Sequence, residues 1–244
     1  MKQEIVIDIG NNQAKVGIFR NSELLHVMRV SATLKDIPQK WIGMHYNAAL
    51  VSSTGSESRI PHEKLREISG DMLYFSSDFP FPLNIENSTP KTLGADRKAA
   101  CAGAASLFPG SPVLVIDAGT AITYDLLSPD RSMKGGNISP GLQMRFDALH
   151  NYTGRLPLLH AEKMNETLGK STAESIQNGV QFGLFSEIEA YIEMLEMQHN
   201  NLKIVITGGD AGFLADRLKN SIFVEPNLVL IGLYRILNNY VEKY

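Results

Sequence analysis

Apolar residues in this chain gather into short runs that stop abruptly at aspartate and glycine. Residues 4–9 and 113–116 are each dense in β-branched and aliphatic side chains, each leads into an Asp-x-Gly, and each is followed by a second β-branched or aromatic segment. Both predict a strand-turn-strand hairpin. Setting Asp8 on Asp117 pairs Gly10 with Gly119, Asn11 with Thr120 and Ala14 with Thr123, so one unit occurs twice and an internal duplication is implied. Phe108-Pro109-Gly110-Ser111-Pro112, just before the second copy, is the punctuation of a boundary. It places one domain over 1–110 and a second over 111–244.

The period changes to three and four residues over 182–197. Phe182, Phe185, Ile188, Ile192 and Leu195 recur at that spacing with Glu187, Glu189, Glu193 and Glu196 between them, which predicts an amphipathic helix with one buried face. Residues 203–207 then read as a short strand, Gly208-Gly209 as a turn, and 211–219 as a helix ended by Asn220. Residues 98–107 read as a helix of small side chains, and 76–90, with Pro80, Pro82 and Pro90, as an irregular loop of the kind that often carries function.

Composition narrows the classes. A length of 244 residues suits two domains of about half that size, and 43% hydrophobic with 20% charged residues is ordinary for a globular protein. With 23 basic and 26 acidic side chains and no run of five Lys or Arg, nucleic acid is not an expected partner. The first ten residues enter a strand directly instead of showing a basic and then a long apolar region. The chain therefore reads as cytoplasmic, with no membrane partner. Cys101 is the single cysteine and sits among alanines, so it reads as a small buried apolar residue. Asn165-Glu166-Thr167 fits a glycosylation acceptor, which has meaning only in a secreted protein.

The candidate chemistry is carboxylates beside tight turns. Asp8 followed by Gly10, Asn11 and Asn12 puts a charge next to backbone N–H groups that can face a phosphate, and equally makes an ordinary hairpin turn. Two such turns would offer phosphate-binding amides and two carboxylates for a metal, the requirements of phosphoryl transfer. Gly94-Ala95-Asp96-Arg97 precedes the small-residue helix, so Asp96 is either a helix-start acid or a general base with a cationic neighbour. Other nucleotide and metal motifs fail: there is no G-x-G-x-x-G, Gly169-Lys170-Ser171 has Met164 where a Walker A loop needs its first glycine, and no histidines have zinc-ligand spacing.

Six segments in order then carry a resemblance: Asp8-Ile9-Gly10-Asn11, Gly94-Ala95-Asp96-Arg97, the run from Asp117-Ala118-Gly119-Thr120 to Asp125, Gly135-Gly136-Asn137-Ile138-Ser139-Pro140-Gly141, Thr207-Gly208-Gly209-Asp210-Ala211, and Pro226-Asn227-Leu228 on to Leu233. Together they resemble the type III pantothenate kinases nearly end to end.

The resemblance implies an α/β fold of two ribonuclease-H-like, actin-like (ASKHA) halves with a nucleotide cleft between them, acting as a homodimer on ATP and pantothenate. It makes Asp8, Ile9, Gly10, Asn11, Asn12, Gln13, Ala14 and Lys15 the first phosphate loop, with Asp8 holding the Mg²⁺ of Mg-ATP and Thr120 touching ATP from the second. Asp117 would hold a monovalent cation, K⁺ or NH₄⁺. Gly94, Ala95, Asp96 and Arg97 would line the pantothenate site with Asp96 as the catalytic base, and Asn87 and Thr172 would contact substrate. Two positions depart from the pattern: Asn12 where the first loop usually has threonine, and Asn87 where an aromatic contact, usually tyrosine, is expected. The same residues also suit a kinase for another small hydroxylated acceptor or a nucleotide-binding regulator, though a regulator has no need of a base at Asp96.

Overall fold

A computed structural model describes residues 3–11, 13–54, 60–163, 167–219 and 221–243. Asn12, Met164, the triplet that begins at Asn165, and Asn220 therefore lie outside the described residues in whole or in part. Along the chain the elements are β1 (Gln3–Ile9), β2 (Gln13–Arg20), β3 (Glu23–Ser31), β4 (Ala48–Ser53), α1 (His62–Ile68), β5 (Met72–Tyr74), β6 (Asn84–Ile85) and α2 (Ala95–Leu107). They continue as β7 (Val113–Ala118), β8 (Ala121–Leu127), β9 (Ser132–Pro140), α3 (Leu142–Asn151), α4 (Thr172–Gln198), β10 (Lys203–Thr207), α5 (Ala211–Ala215), β11 (Phe223–Val224) and α6 (Leu228–Val241).

Two compact units divide the chain: 1–109 with 130–134 and 227–244, and 110–129 with 135–226. The break falls beside the Pro-Gly punctuation, but the last helix groups with the first unit, because α6 packs on α2 and on β1, β2 and β4.

In the first unit the sheet runs β3-β2-β1-β4-β5, with β1 antiparallel to β2 and parallel to β4. Ile5, Val6 and Ile7 of β1 are all fully buried, as expected of a strand covered on both faces. On one face Ile5, Ile7 and Ile9 join Val16, Ile18, Ala49 and Val51 against Leu65 and Ile68 of α1. On the other lie α2 and α6, and there the small side chains of α2 matter. A Cβ on Gly232 would overlap the Ala99 carbonyl, and one on Gly103 the Leu228 carbonyl. Cys101 is buried in this helix, as its alanine neighbours predict.

The second unit is organised in the same way. Its strands run β11-β10-β7-β8-β9, and the first residues of β9, Ser132 and Met133, pair with Asn84 and Ile85 of β6 within the first unit. Leu114, Ile116, Ile204 and Ile206 meet Ile176, Leu184, Ile188 and Ile192 of α4.

Three further sequence readings change. The helix predicted over 182–197 starts ten residues earlier, at Thr172, behind a capping box in which the Ser171 hydroxyl accepts from the Glu174 N–H and the Glu174 side chain answers it. Gly169-Lys170-Ser171 is thus a helix entry, and Phe182, expected inward, is 59% exposed. The helix read over 211–219 is regular only over Ala211–Ala215. The repeated hairpins are not congruent residue by residue: Asp8 faces Lys15 but Asp117 faces Thr123. The first turn is one residue longer, closing Gly10 N–H on Gln13 O where the second closes Gly119 N–H on Ala121 O. Pairing Ala14 with Thr123 therefore slips by one.

Because α2 and α6 touch through main-chain atoms at Gly232, Gly232→Ala must separate the helices. It should destabilise the protein by about 3 kcal/mol or more, the upper range of overpacking. A urea midpoint equal to wild type would show that the helices yield without cost.

Candidate functional site

Asp8 stands near the end of β1, between Lys15 on β2 and Ser52 on β4, and is half-buried. The chain then turns through Gly10 and Asn11, the Gly10 N–H donating to Gln13 O at 2.9 Å. Of the expected first loop, Ile9 and Ala14 are 3% and 1% exposed. They are core anchors that can offer a nucleotide only backbone groups. Asn11 and Gln13 are exposed and Lys15 half-buried.

Asp96 lies in the first turn of α2, whose cap position is Gly94 and carries no side-chain cap. Its carboxylate folds back to accept the Arg97 N–H at 2.8 Å and lies against Gly94, where a Cβ would overlap it. The glycine is what makes room for this rotamer. Gly94, Ala95, Asp96 and Arg97 are all half-buried. Asn87 is engaged in a local turn, its amide oxygen accepting the Thr89 N–H at 3.1 Å.

In the second unit, main-chain packing builds the surroundings of Asp117. Gly208, at φ +96°, would place a Cβ against the Ala118 carbonyl and 2.6 Å from Asp117 Oδ1, so only glycine fits. The Asp210 N–H donates to Ala118 O at 3.0 Å, and the Gly141 N–H to Thr120 O at 3.1 Å. Burial holds the Asp210 carboxyl above the usual carboxylate range. Thr120 itself is exposed.

One carboxylate ties this hairpin to two helices. Glu187 on α4 accepts Tyr124 OH of β8 at 2.8 Å and Arg145 Nη2 of α3 at 2.6 Å. Arg145 also donates to Ser139 Oγ and Pro140 O, each at 2.9 Å, just before Gly141 meets the Thr120 loop. Burial alone would raise the Glu187 carboxyl, but hydrogen bonds from Arg145, Tyr124 and Ser139 outweigh it and hold the group below its ordinary 4.5. Burial, and then the bond to Glu187, push the Tyr124 phenol up. Beside this node a cavity of about 1340 Å³ opens between α3 and the start of α4, lined by Arg145, Leu149, Lys170, Thr172 and Ile176 among others. Thr172 is among the residues that line this open volume.

A model of the type III pantothenate kinase family matches residues 4–194. The chain belongs to the type III pantothenate kinases. It is 39% identical over 241 residues to a type III pantothenate kinase of Porphyromonas gingivalis, covering 97% of this chain and 98% of that one. It is 40% identical over 235 residues to one of Bacteroides fragilis, covering 96% and 97%. Among solved structures it resembles a protein described as a Baf family transcriptional activator from Campylobacter jejuni, with TM-score 0.63 and 20% identity over 98% of this chain and 99% of that one. A protein described as a 2-dehydro-3-deoxygalactonokinase from Sinorhizobium meliloti follows at TM-score 0.61 and 14% identity, covering 97% and 99%. At these identities the two structures speak for the fold alone, and the fold is the actin-like α/β kind that the family resemblance implies.

Within this pantothenate kinase, sequence reasoning missed three things. Glu187 was read as one of the glutamates between the apolar positions of its helix, yet it is half-buried and paired. Lys98 is 5% exposed, its amine lowered by burial against the opposing charge of Asp78. Asp210 lay inside a quoted motif without a role.

For Glu187 the sign of the pH effect is set. A carboxyl that titrates below its ordinary 4.5 when folded adds stability above that pH, and the stability is lost as pH falls through the lowered value. Glu187→Gln should cost about 1–3 kcal/mol at neutral pH, the worth of hydrogen bonds to a charged group. The gap to wild type should narrow below pH 4.5. Denaturant titrations at several pH values would show it, and a gap that stays constant down to about pH 3 would assign the loss to packing instead.

Proposed function

We propose that this kinase transfers the γ-phosphate of ATP to the primary hydroxyl of pantothenate, forming 4′-phosphopantothenate, the opening step of coenzyme A synthesis. Membership of the family across most of the chain carries this reading. Asp96 is the general base: it removes the hydroxyl proton, the oxygen attacks the γ-phosphorus in line, and ADP leaves. Its carboxylate, turned back over Gly94 and flanked by Arg97, suits that task and an anionic substrate. Gly94, Ala95 and Thr172 contact the acceptor, and Thr172 lines the 1340 Å³ cavity of the second unit. Asn87 contributes through the turn it makes with Thr89.

The first loop, residues 8–15, and Thr120 take the nucleotide. The residues fit a metal that arrives with its ligand. Among the described residues no three His, Cys, Asp or Glu side chains gather into a cage, and Mg²⁺ characteristically takes one or two carboxylates and completes its shell with phosphate oxygens and water. Asp8 is that carboxylate. Mg²⁺ bound with ATP supplies neutralisation of the phosphate charge. Asp117, with its oxygen pressed against the space that Gly208 leaves open, suits the larger, weakly held K⁺ or NH₄⁺.

A coupled assay of ADP release with pantothenate, and with a panel of other small hydroxylated acceptors, tests the reaction. In it Asp96→Asn should lower turnover by about 10²- to 10⁴-fold, the usual worth of a general base, while ATP affinity stays near wild type. If Asp96 serves only the helix start, the change costs about 0.3–1 kcal/mol of stability and turnover in the folded fraction is nearly normal.

Exchange of the monovalent ion gives a second check. Activity in K⁺ or NH₄⁺ should fall sharply when Na⁺ or a bulky organic cation replaces it, and equal rates in all of them would remove Asp117 as a cation ligand.

A further inference from the structure

Ser52 has no role so far, and its burial needs a reason. It is 1% exposed, and its hydroxyl has no hydrogen-bond partner among the described residues. Buried polar groups are nearly always satisfied, so an orphan at a strand end in native protein points to something that is bound there in use. Alanine would fill the same place without that penalty.

Its position says what the partner is. Ser52 is the register neighbour of Asp8 across the parallel pair β1 and β4, strands that lie about 4.8 Å apart. Side chains alternate along a strand. Ala49 and Val51 point into the cluster with Ile5, Ile7 and Ile9 under α1, so Leu50 and Ser52 take the opposite face, and Asp8 takes that face as well. This is the side on which α2 and α6 pack. Ser52 and Asp8 thus stand side by side at the carboxyl ends of two parallel strands, the place where open α/β sheets bind ligands.

We propose that the Ser52 hydroxyl is a binding group for the hydrated divalent metal that accompanies ATP at Asp8, accepting a hydrogen bond from one of the metal's waters. This rests on the kinase reading above. Mg²⁺ keeps several of its waters when bound, so a site built on one carboxylate needs neighbouring groups to hold them. Groups that hold a metal's outer shell are characteristically worth 10- to 100-fold in affinity. A hydroxyl kept unsatisfied until the metal arrives explains why a serine stands in a strand that is otherwise apolar over 49–51.

The test compares wild type with Ser52→Ala by the thermal midpoint of the free protein and by calorimetric binding of a non-hydrolysable ATP analogue, in Mg²⁺ and in EDTA. The free variant should melt at or above the wild-type temperature, since it loses an unsatisfied group. Its affinity for the analogue should fall 10- to 100-fold in Mg²⁺ and match wild type in EDTA. Equal affinity in Mg²⁺, an equal loss with and without Mg²⁺, or a lowered midpoint with affinities intact would overturn the proposal. If the alanine variant does not fold, Ser52→Cys keeps the volume with a much weaker hydrogen-bonding group and carries the same test. Wild type that fails to bind the analogue in Mg²⁺ would sink the kinase reading itself. Wild type that binds it while the variant binds equally well would sink only the role of Ser52.

Discussion

Strands covered on both faces hold charge chiefly towards their ends, and this constraint sets where the candidate carboxylates of this kinase can stand. Ile5, Val6 and Ile7 of β1, and Val113, Leu114, Val115 and Ile116 of β7, are all at most 1% exposed. Asp8 and Asp117 come at the first positions beyond these runs, where the backbone is about to turn. The apolar strand fixes each carboxylate by its register with neighbours on both sides, Lys15 and Ser52 for one, Thr123 and Thr207 for the other. The same tight packing forces the contacts around them to be made by main chain. Gly94, Gly141 and Gly208 each lack a side chain where one would overlap a carboxylate or a carbonyl.

Much of this was legible because local signals and the fold agreed. The run 203–207 is a strand with those bounds, and the Asp-x-Gly turns are hairpin turns. The signals failed where a distant contact decides. Residues 172–181 contain Gly179 and the buried polar side chains Asn178 and Gln181, which blur the helical period, so only the capping box and the packing of Ile176 and Val180 reveal that α4 begins at Thr172. The length of the first turn is invisible in a direct comparison of the two copies, because a one-residue difference leaves both aspartates and both glycines aligned. The pairing of 227–244 with the first unit is a matter of α6 meeting α2, more than a hundred residues away in sequence.

The candidate site follows the same division. Asp8, Asp96 and Asp117 are marked by the glycines beside them, since carboxylate and turn occur together in the sequence. Thr172 is a candidate only through the motif it shares with the family, and the cavity it lines is made by α3 and α4 together. Arg145 and Glu187 are 42 residues apart and each looks like an ordinary surface charge, yet with Tyr124 and Ser139 they close one network. Ser52 carries no local mark at all. Only burial and register give it meaning.

The grouping of α6 with the first unit has a consequence for the order of events during synthesis. Domains commonly fold as they leave the ribosome, the amino-terminal one first. Here the face of β1 and β4 opposite α1 stays only partly covered, by α2 against β4, until residues 228–241 have emerged, although the strands themselves are among the first residues made. The second unit, 110–129 with 135–226, is complete before then. The half that carries Asp8 and Asp96 is therefore the last to close, and a nascent chain lacking its final helix displays an apolar sheet that chaperones would recognise as unfinished.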